Sequence, residues 1–179
     1  MRGKWTASLA VVGVLAAAGA VGAFAGGGNN AGDSGTASVQ CLTDDGIQGP
    51  SSESIENPEY ATVTVSPTTL WPPNGKMQTI GLSMSFADDE SDSQTLTVLS
   101  ISSNQGTSAD WSGVGNSATG AADGSTIKTS VQLRAQRDDT DLAGRTYNVT
   151  LQCADGGTAP GPQNQVTVQV TVPHDQGHH

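Results

Sequence analysis

The sequence predicts an antiparallel β-sandwich of about seven strands. Apolar and polar residues alternate with a period of two in several runs after residue 59, the pattern of strands with one buried face. No stretch after residue 25 repeats its apolar residues at the helical period of 3.6. Charged residues make up only 13% of the 179 residues, whereas Gly, Ser and Thr are abundant. This composition is typical of strands and turns rather than of helix bundles.

The first 25 residues predict a secretory signal peptide. A basic stretch, Met1–Trp5, precedes an uncharged run from Thr6 to Ala25, and small residues surround a cleavage point after Ala25. A retained membrane anchor is the alternative, because the run is near the ~20 residues that a span needs. The Ala and Gly content of the run, and the lack of a basic cluster behind it, favour cleavage.

Cleavage makes the chain more acidic. The leader holds Arg2 and Lys4 and no acid, so its removal takes the formal net charge from −10 to −12. Such a chain repels nucleic acid and anionic lipid, and it has too few cations to neutralise phosphates. We therefore expect a secreted or cell-surface protein with no nucleic-acid partner and no membrane contact after cleavage.

Residues 26–58 predict a flexible, acidic, Gly/Ser-rich arm, because they hold too few apolar side chains to offset the entropy of ordering. The two cysteines of the chain are Cys41, in this arm, and Cys153, in a predicted strand. Disulfides persist in exported proteins, so we expect the two to pair and close a loop of about 112 residues. Two unpaired thiols are the alternative, and pairing within one chain or between chains stays open.

Seven runs from residue 59 to residue 177 account for the folded domain, and residues 178–179 are a tail. The third run changes phase between Val98 and Leu99, which predicts a β-bulge. Short strands with one apolar face predict two sheets packed face to face, with a small barrel as the alternative. The apolar positions of the runs are Ala61, Val63 and Val65; Ile80, Leu82, Met84 and Phe86; Leu96, Val98, Leu99 and Ile101; a weaker segment around Trp111; Val131, Leu133 and Ala135; Tyr147, Val149, Leu151 and Cys153; and Val166, Val168, Val170 and Val172.

Several short motifs occur together along this domain. They are LWPPNGKM at 70–77, ADW at 109–111, LRAQR at 133–137, GRTY at 144–147 and VTVPHDQG at 170–177. This combination resembles the Ig-like, HYR-like β-sandwich modules of secreted bacterial and archaeal proteins, over about residues 60–177. The resemblance implies an extracellular, non-enzymatic accessory, adhesion or structural module. Gly75 stands where the family usually has His, and the loop 88–92 lacks a Cys common there, so roles tied to those residues do not transfer.

Two local sequence features predict details of the sandwich, namely a Pro-rich corner and a tyrosine at the start of a strand. Pro72 and Pro73 fix the backbone, and Asn74-Gly75 readily takes positive φ, so this corner predicts a rigid bend. We expect Trp71 to cap one end of the core. Tyr147 follows a Gly-containing turn at the start of a buried strand, which resembles a tyrosine corner.

Two acidic loops are candidate calcium ligands, because Ca²⁺ prefers six to eight oxygen ligands. The alternative is a pair of solvated acidic turns. In an Ig-type strand order these two loops need not lie at the same end of the sandwich. The residues are Asp88, Asp89, Glu90 and Asp92 in the first loop and Asp138, Asp139 and Asp141 in the second. His174, His178 and His179 could bind a transition metal only loosely.

Trp71 and Trp111 are the candidate platform for a glycan, with burial in the core as the commoner use of Trp. The Ser117 segment does not have the spacing of a nucleophile elbow, so we expect no enzymatic activity and no cofactor.

The function expected from these observations is that of a secreted or cell-surface structural or adhesion module. One alternative is a subunit of an extracellular filament, assembled by strand exchange through the N-terminal arm, because open sheet edges accept strands from other copies. The other alternative is a glycan- or calcium-binding accessory module.

Overall fold

A computed structural model of the chain describes residues 34–41, 59–86, 93–121, 125–155 and 164–174. These residues form nine strands and one short 3₁₀ helix, Ser108–Asp110. The strands are β1 (Gly35–Cys41), β2 (Glu59–Ser66), β3 (Met77–Phe86), β4 (Ser93–Ser103), β5 (Trp111–Ser112), β6 (Ser117–Ala121), β7 (Thr126–Arg134), β8 (Arg145–Asp155) and β9 (Gln165–Val172). The signal peptide, most of the arm and the tail lie outside the described residues.

The strands form two antiparallel sheets, with the order β1-β2-β3-β7-β5 in one and β6-β4-β8-β9 in the other. The prediction of an antiparallel β-sandwich is confirmed. Strands β2, β3 and β7 occupy the places of A, B and E in an Ig-type sandwich, and β4, β8 and β9 occupy those of C, F and G.

The pairing registers define two ends of the sandwich. Met77 of β3 pairs with Arg134 of β7, and Arg145 of β8 pairs with Val172 of β9. We call the end formed by these residues the corner end. At the distal end, Ser85 pairs with Thr126 and Gln94 with Asp155.

The core lies between the inner faces of the two sheets, and the alternation in the sequence places its members correctly. Burial of apolar surface is the main force that holds the sheets together. The fully or almost fully buried side chains include Ala61, Val63, Val65, Ile80, Leu82, Met84, Leu96, Val98, Ile101, Val131, Leu133, Ala135, Tyr147, Val149, Leu151, Cys153, Val166, Val168, Val170 and Val172.

The bulge predicted in β4 is confirmed. The register between β4 and β8 shifts between Val98 and Ser100, so Leu99 has no partner in the ladder. Because of this extra residue, Ile101 returns to the buried face that Leu96 and Val98 share.

The chain crosses from one sheet to the other immediately after β2. Thr69 forms a parallel bridge with Thr171 of β9; the Leu70 N–H donates to the Thr171 carbonyl, and the Thr171 N–H donates to the Thr68 carbonyl, each at 2.8 Å. The Ser66–Pro67 and Trp71–Pro72 peptide bonds are cis. Leu70 is fully buried and Trp71 only half-buried, so the expectation that Trp71 caps the core is wrong, and Leu70 has that role.

Two strands were not expected from the sequence. The interpretation of residues 26–58 as a flexible arm is wrong for Gly35–Cys41, which forms β1 along β2 and buries Ala37 and Val39. Strand β6 lies along β4. Most side chains of both strands are small, so the sequence shows little alternation of apolar and polar residues there. Each strand is held instead by backbone hydrogen bonds to its one neighbouring strand.

Candidate functional site

The corner end carries a polar cluster built around Asp110. Asp110 ends the 3₁₀ helix, and the helix begins with a capping box in which the Thr107 N–H donates to Asp110 Oδ2 at 3.1 Å. The Thr107 side chain in return accepts from the Ala109 N–H. Such reciprocal bonds satisfy backbone donors that a helix start leaves open. They also fix the direction of the Asp110 carboxylate.

Asp110 bridges two arginines from different sheets. Its Oδ1 lies 2.8 Å from Arg134 Nε, at the end of β7, and its Oδ2 lies 3.0 Å from Arg145 Nη2, at the start of β8. The side chain of Arg145 is only 3% exposed and that of Asp110 18%. A buried guanidinium requires a counter-charge and a full set of acceptors. Asp110 therefore neutralises Arg145 where β7 and β8 connect.

Further donors of both arginines also have acceptors. Arg145 Nε donates to Ser103 Oγ at 3.0 Å, and its Nη1 donates to the Gln136 carbonyl at 3.3 Å. Arg134 Nη1 donates to the Gly75 carbonyl at 2.9 Å. The two guanidiniums thus tie the Pro-rich corner to both sheets.

Aromatic rings complete the cluster. The Arg145 guanidinium carbon lies 4.3 Å from the centre of the Tyr147 ring, the arrangement of a cation–π contact. Trp111 meets the same ring edge to face, with the ring centres 6.2 Å apart. The Tyr147 hydroxyl donates to the Arg134 carbonyl at 2.8 Å, across the β7–β8 connection. This bond resembles that of a tyrosine corner, although it reaches 13 residues back along the chain rather than a few.

The surroundings shift the pKa of two groups in the cluster. Burial raises the pKa of Tyr147 to about 12, and the Arg145 charge opposes this only in part. Burial also acts to raise the pKa of Asp110, but the Thr107 N–H and the two arginines outweigh it and hold that pKa below its usual value. At neutral pH the carboxylate is charged and the phenol is a hydrogen-bond donor.

The β4–β5 connection also holds the β7–β8 loop in place. Gln105 Nε2 donates to Asp141 Oδ2 and to the Gly144 carbonyl, each at 2.8 Å, and Gln105 Oε1 accepts from the Asp138 N–H. Asn104 makes a similar pair of bonds: its Nδ2 donates to the Gly144 carbonyl, and its Oδ1 accepts from the Thr146 N–H. Two amide side chains therefore fix the loop that carries the second acidic cluster.

The aspartates of this second cluster each have a partner in the chain. Asp138 Oδ1 accepts from the Thr140 hydroxyl and N–H, which holds the Asp138 pKa below its usual value. Asp139 pairs with Arg137 at 2.7 Å, and Asp141 accepts from Gln105 and from the Ala143 N–H. Within the described ranges, no three His, Cys, Asp or Glu residues are grouped as metal ligands would be.

The first acidic cluster, Asp88, Asp89, Glu90 and Asp92, lies outside the described residues. The strand ends that flank it, Phe86 and Ser93, are at the distal end, whereas Asp138, Asp139 and Asp141 follow β7 at the corner end. The two clusters are thus attached to opposite ends of the sandwich.

The other candidate residues are the two tryptophans, the histidines and Cys153. Trp111 is half-buried against the core and Tyr147, and Trp71 is half-buried in the corner. The ring of His174 lies 3.3 Å from the Asp139 carbonyl, and His178 and His179 lie outside the described residues. Cys153 is fully buried in β8, with its Sγ 3.7 Å from Gln94 Oε1.

The described residues include no free cysteine. Pairing of Cys41 with Cys153 stays a prediction, because the side chain of Cys41 is outside the described part. Gln94 is itself fully buried, and its Nε2 has no hydrogen-bond partner among the atoms that the structure describes.

The Asp110 cluster was not identified from the sequence, although its residues lie in motifs that carry the family resemblance. One signal was available. Arg145 and Tyr147 are two apart in an alternating strand, so both face inward, and an inward-facing Arg needs a carboxylate. Which carboxylate it would be depends on how the loops fold.

No protein-family model, no curated protein and no solved structure matches this chain. Among the described residues, no helix is long and apolar enough to cross a membrane. The resemblance to Ig-like, HYR-like modules rests on the sequence motifs and stays a prediction.

Proposed function

We propose that this chain is an exported, non-enzymatic structural or adhesion module at the cell surface or in the extracellular matrix. The observation that carries the proposal is the Asp110 cluster, whose ion pairs, hydrogen bonds and ring contacts fix the loops of the corner end. Loops held in this way resist local opening, and local opening is the step that exposes a chain to proteases. Resistance of this kind suits a protein that persists outside the cell.

Export is tested first. The full chain, with its own leader, is expressed in a bacterial host, and the cell-surface, medium and cytoplasmic fractions are analysed by intact mass. We expect a product that begins at Gly26 in the medium or on the surface. An uncleaved product confined to the cytoplasm would contradict the proposal.

Persistence is tested by limited proteolysis of the exported product. We expect cleavage to be confined to residues 26–34 and 42–58, while the sandwich from residue 59 onwards stays intact. The matched variant is Asp110→Asn, which should be cut within the corner-end loops. If the wild type and Asp110→Asn resist the protease equally, the Asp110 cluster does not support this function.

A filament subunit is the second candidate function. It is favoured by β1, because a segment of the N-terminal arm already lies along a sheet edge as a strand. A strand that completes the sheet of another copy produces a head-to-tail contact, and such contacts give filaments when they do not close. Electron microscopy of the exported protein distinguishes filaments from single modules.

A glycan- or calcium-binding accessory module is the remaining candidate. Its calcium ligands would be Asp138, Asp139 and Asp141 without the acids of 88–92, because the two loops are attached to opposite ends of the sandwich. Its glycan contacts would be Trp71 and Trp111. A rise in melting temperature with millimolar calcium, or with soluble oligosaccharide, would favour it. A melting temperature that neither calcium nor oligosaccharide changes would contradict this candidate function.

A further inference from the structure

The outer face of the sheet β6-β4-β8-β9 is polar, uncharged and open. On β4, β8 and β9 the outward positions hold Ser, Thr, Asn, Gln and one Ala, and all of them are at least partly exposed. Asn148 of β8 lies in the middle of this face, paired with Ser102 of β4 and Gln169 of β9. Because both neighbours are exposed, the space outside Asn148 can hold a bulky group.

Asn148 begins the acceptor sequence for N-linked glycosylation. Val149 and Thr150 follow it, and no other Asn of the chain has Ser or Thr two positions later. Side chains two residues apart in an extended chain project to the same side. The Asn148 amide and the Thr150 hydroxyl therefore lie on one face of β8. These are the two groups that the acceptor sequence requires.

The amide nitrogen of Asn148 is available for a bond to a sugar. Its Oδ1 accepts from Gln169 Nε2 at 3.0 Å, whereas its Nδ2 donates to no atom of the residues that the structure describes. A glycosylated amide keeps its carbonyl oxygen, so the bond from Gln169 can persist after modification. The folded sheet thus holds the oxygen and leaves the reactive nitrogen at the surface.

The segment around Asn148 differs in charge from the rest of the chain. The chain has 17 acidic residues and a formal net charge of −10. Residues 142–154 include none of these acids, and their one charged side chain is Arg145. A sugar donor carried on a lipid phosphate is an anion. This segment can approach such a donor without the repulsion that the acidic loops would cause.

The alternation of β8 permits a glycan at position 148 and excludes one at its neighbours. Tyr147 and Val149 are fully buried, so a bulky group on either would prevent the two sheets from packing. β8 pairs with β4 on one side and with β9 on the other, so an enzyme cannot surround residues 148–150 once the sheet is complete. The sugar must therefore be attached during export, before β8 is paired.

We propose that Asn148 is a site of N-linked glycosylation, with the glycan projecting from the outer face of the β6-β4-β8-β9 sheet. The inference rests on the proposed function, because the chain meets a glycosylating enzyme only if it is exported. It deepens that function, since a glycan on this face shields the surface of an extracellular module without touching its core.

The transfer balances with a lipid-phosphate-linked oligosaccharide as the donor. A bond forms between Asn148 Nδ2 and the anomeric carbon of the first sugar. The bond between that carbon and the phosphate oxygen breaks, and the lipid phosphate leaves with the electron pair. The amide nitrogen loses one proton and keeps the other. No oxidant or reductant is needed.

The test uses the full-length chain, purified from the surface or medium of the cells that naturally produce it. Trypsin cuts after Arg145, and no Lys or Arg follows, so the reduced protein gives one peptide, 146–179, that holds both Asn148 and Asn164. We expect fragmentation in the mass spectrometer to place a glycan on Asn148 and none on Asn164, which lacks the hydroxyl residue. An unmodified Asn148 in this peptide would overturn the proposal.

Three variants produced in the same cells separate this site from a glycan on a hydroxyl group. Asn148→Gln and Thr150→Val should lose the glycan, while Thr150→Ser should keep it, because Ser retains the hydroxyl. Circular dichroism and cooperative unfolding should stay as in the wild type, since all three changes lie on the outer face. A glycan that persists in Asn148→Gln, or that Thr150→Val does not remove, would contradict attachment to Asn148.

Failure of this proposal is distinguishable from failure of the proposed function. Intact mass shows whether the leader has been removed, and the cell fraction shows whether the chain has been exported. A chain that is exported and protease-resistant but unmodified at Asn148 refutes the glycosylation alone. A chain that stays in the cytoplasm with its leader refutes the proposed function and the glycosylation together.

Discussion

Asp110 shows how one side chain can determine the order of a whole end of the sandwich. Its two oxygens face guanidiniums from β7 and β8, and its own loop comes from the β4–β5 connection. Three segments that are far apart in sequence therefore meet at one carboxylate. Because Arg145 is almost fully buried, the charge of Asp110 is required rather than merely favourable.

Removal of that charge should destabilise the fold. Asp110→Asn leaves two guanidiniums facing each other with no anion, and loss of one partner of a buried ion pair costs about 3 kcal/mol. Urea unfolding followed by circular dichroism measures the loss. Asp139→Asn is the control, because Asp139 is 94% exposed and its pair with Arg137 contributes little. Equal unfolding free energies for the two variants would contradict this account.

Because the Asp110 carboxylate titrates, we expect the unfolding free energy of the protein to depend on pH. The pKa of Asp110 is lowered in the folded protein, so its stabilisation is complete above the unfolded value of about 3.9 and is lost as pH falls through the folded value. Below about pH 4, the unfolding free energy of the wild type should fall towards that of Asp110→Asn. Urea titrations of both proteins from pH 7 to pH 2 measure the difference. A constant difference across this range would be the contrary result.

Gly106 makes the cluster possible. Its φ is +75°, and a Cβ at this position would overlap the Asp110 carboxylate and the Arg145 guanidinium. Gly106→Ala should therefore disrupt both ion pairs and lower the melting temperature strongly. Gly115→Ala is the matched control, since Gly115 has a φ of +87° and no atom within 4 Å of the added Cβ. That variant should lose only about 1 kcal/mol, the cost of a left-handed residue.

Among the elements, the larger strands were predictable and the smaller ones were not. Val, Leu and Ile at every second position mark β2, β3, β4, β7, β8 and β9, because these strands bury a full face. β1 and β6 are edge strands with small side chains, so hydrogen bonds to a neighbour determine them more than burial does. Such bonds leave no periodic signal in the sequence.

Deletion of β1 tests whether it is an addition to the fold. The comparison uses the Cys41→Ser/Cys153→Ser chain with and without residues 26–41, so that no disulfide contributes. The shortened chain should still unfold cooperatively and keep its β-sheet circular dichroism. It should be less stable by a few kcal/mol, because Ala37, Val39 and one ladder are lost. An unfolded product would show that β1 is essential to the core.

At the scale of the molecule, the sequence predicted the two-layer architecture but not its consequences for the candidate sites. Strand order and register put the attachment points of the acidic loops at opposite ends. They also put the ends of β7 and β8 beside the Asp110 loop. Neither result follows from local patterns, because each depends on which strands become neighbours.

Reduction of the cysteines should affect the whole molecule. A disulfide between Cys41 and Cys153 of one chain would close a loop of about 112 residues, for which the chain-entropy model gives roughly 4–5 kcal/mol. We expect a strong reductant to lower the unfolding free energy by up to that amount. The Cys41→Ser/Cys153→Ser chain should not respond to reductant. Identical unfolding of the wild type with and without reductant would exclude the bond.

The parallel bridge between Thr69 and Thr171 has a mechanical consequence. β2 begins at the distal end and β9 finishes at the corner end, so tension applied through Glu59 and Val172 acts along the long axis of the sandwich. The Leu70–Thr171 and Thr171–Thr68 hydrogen bonds join the segment after β2 to β9 in parallel. They would bear this load in shear and break together rather than one after another. A chain of such modules would therefore resist pulling at the link between its first crossover and its last strand.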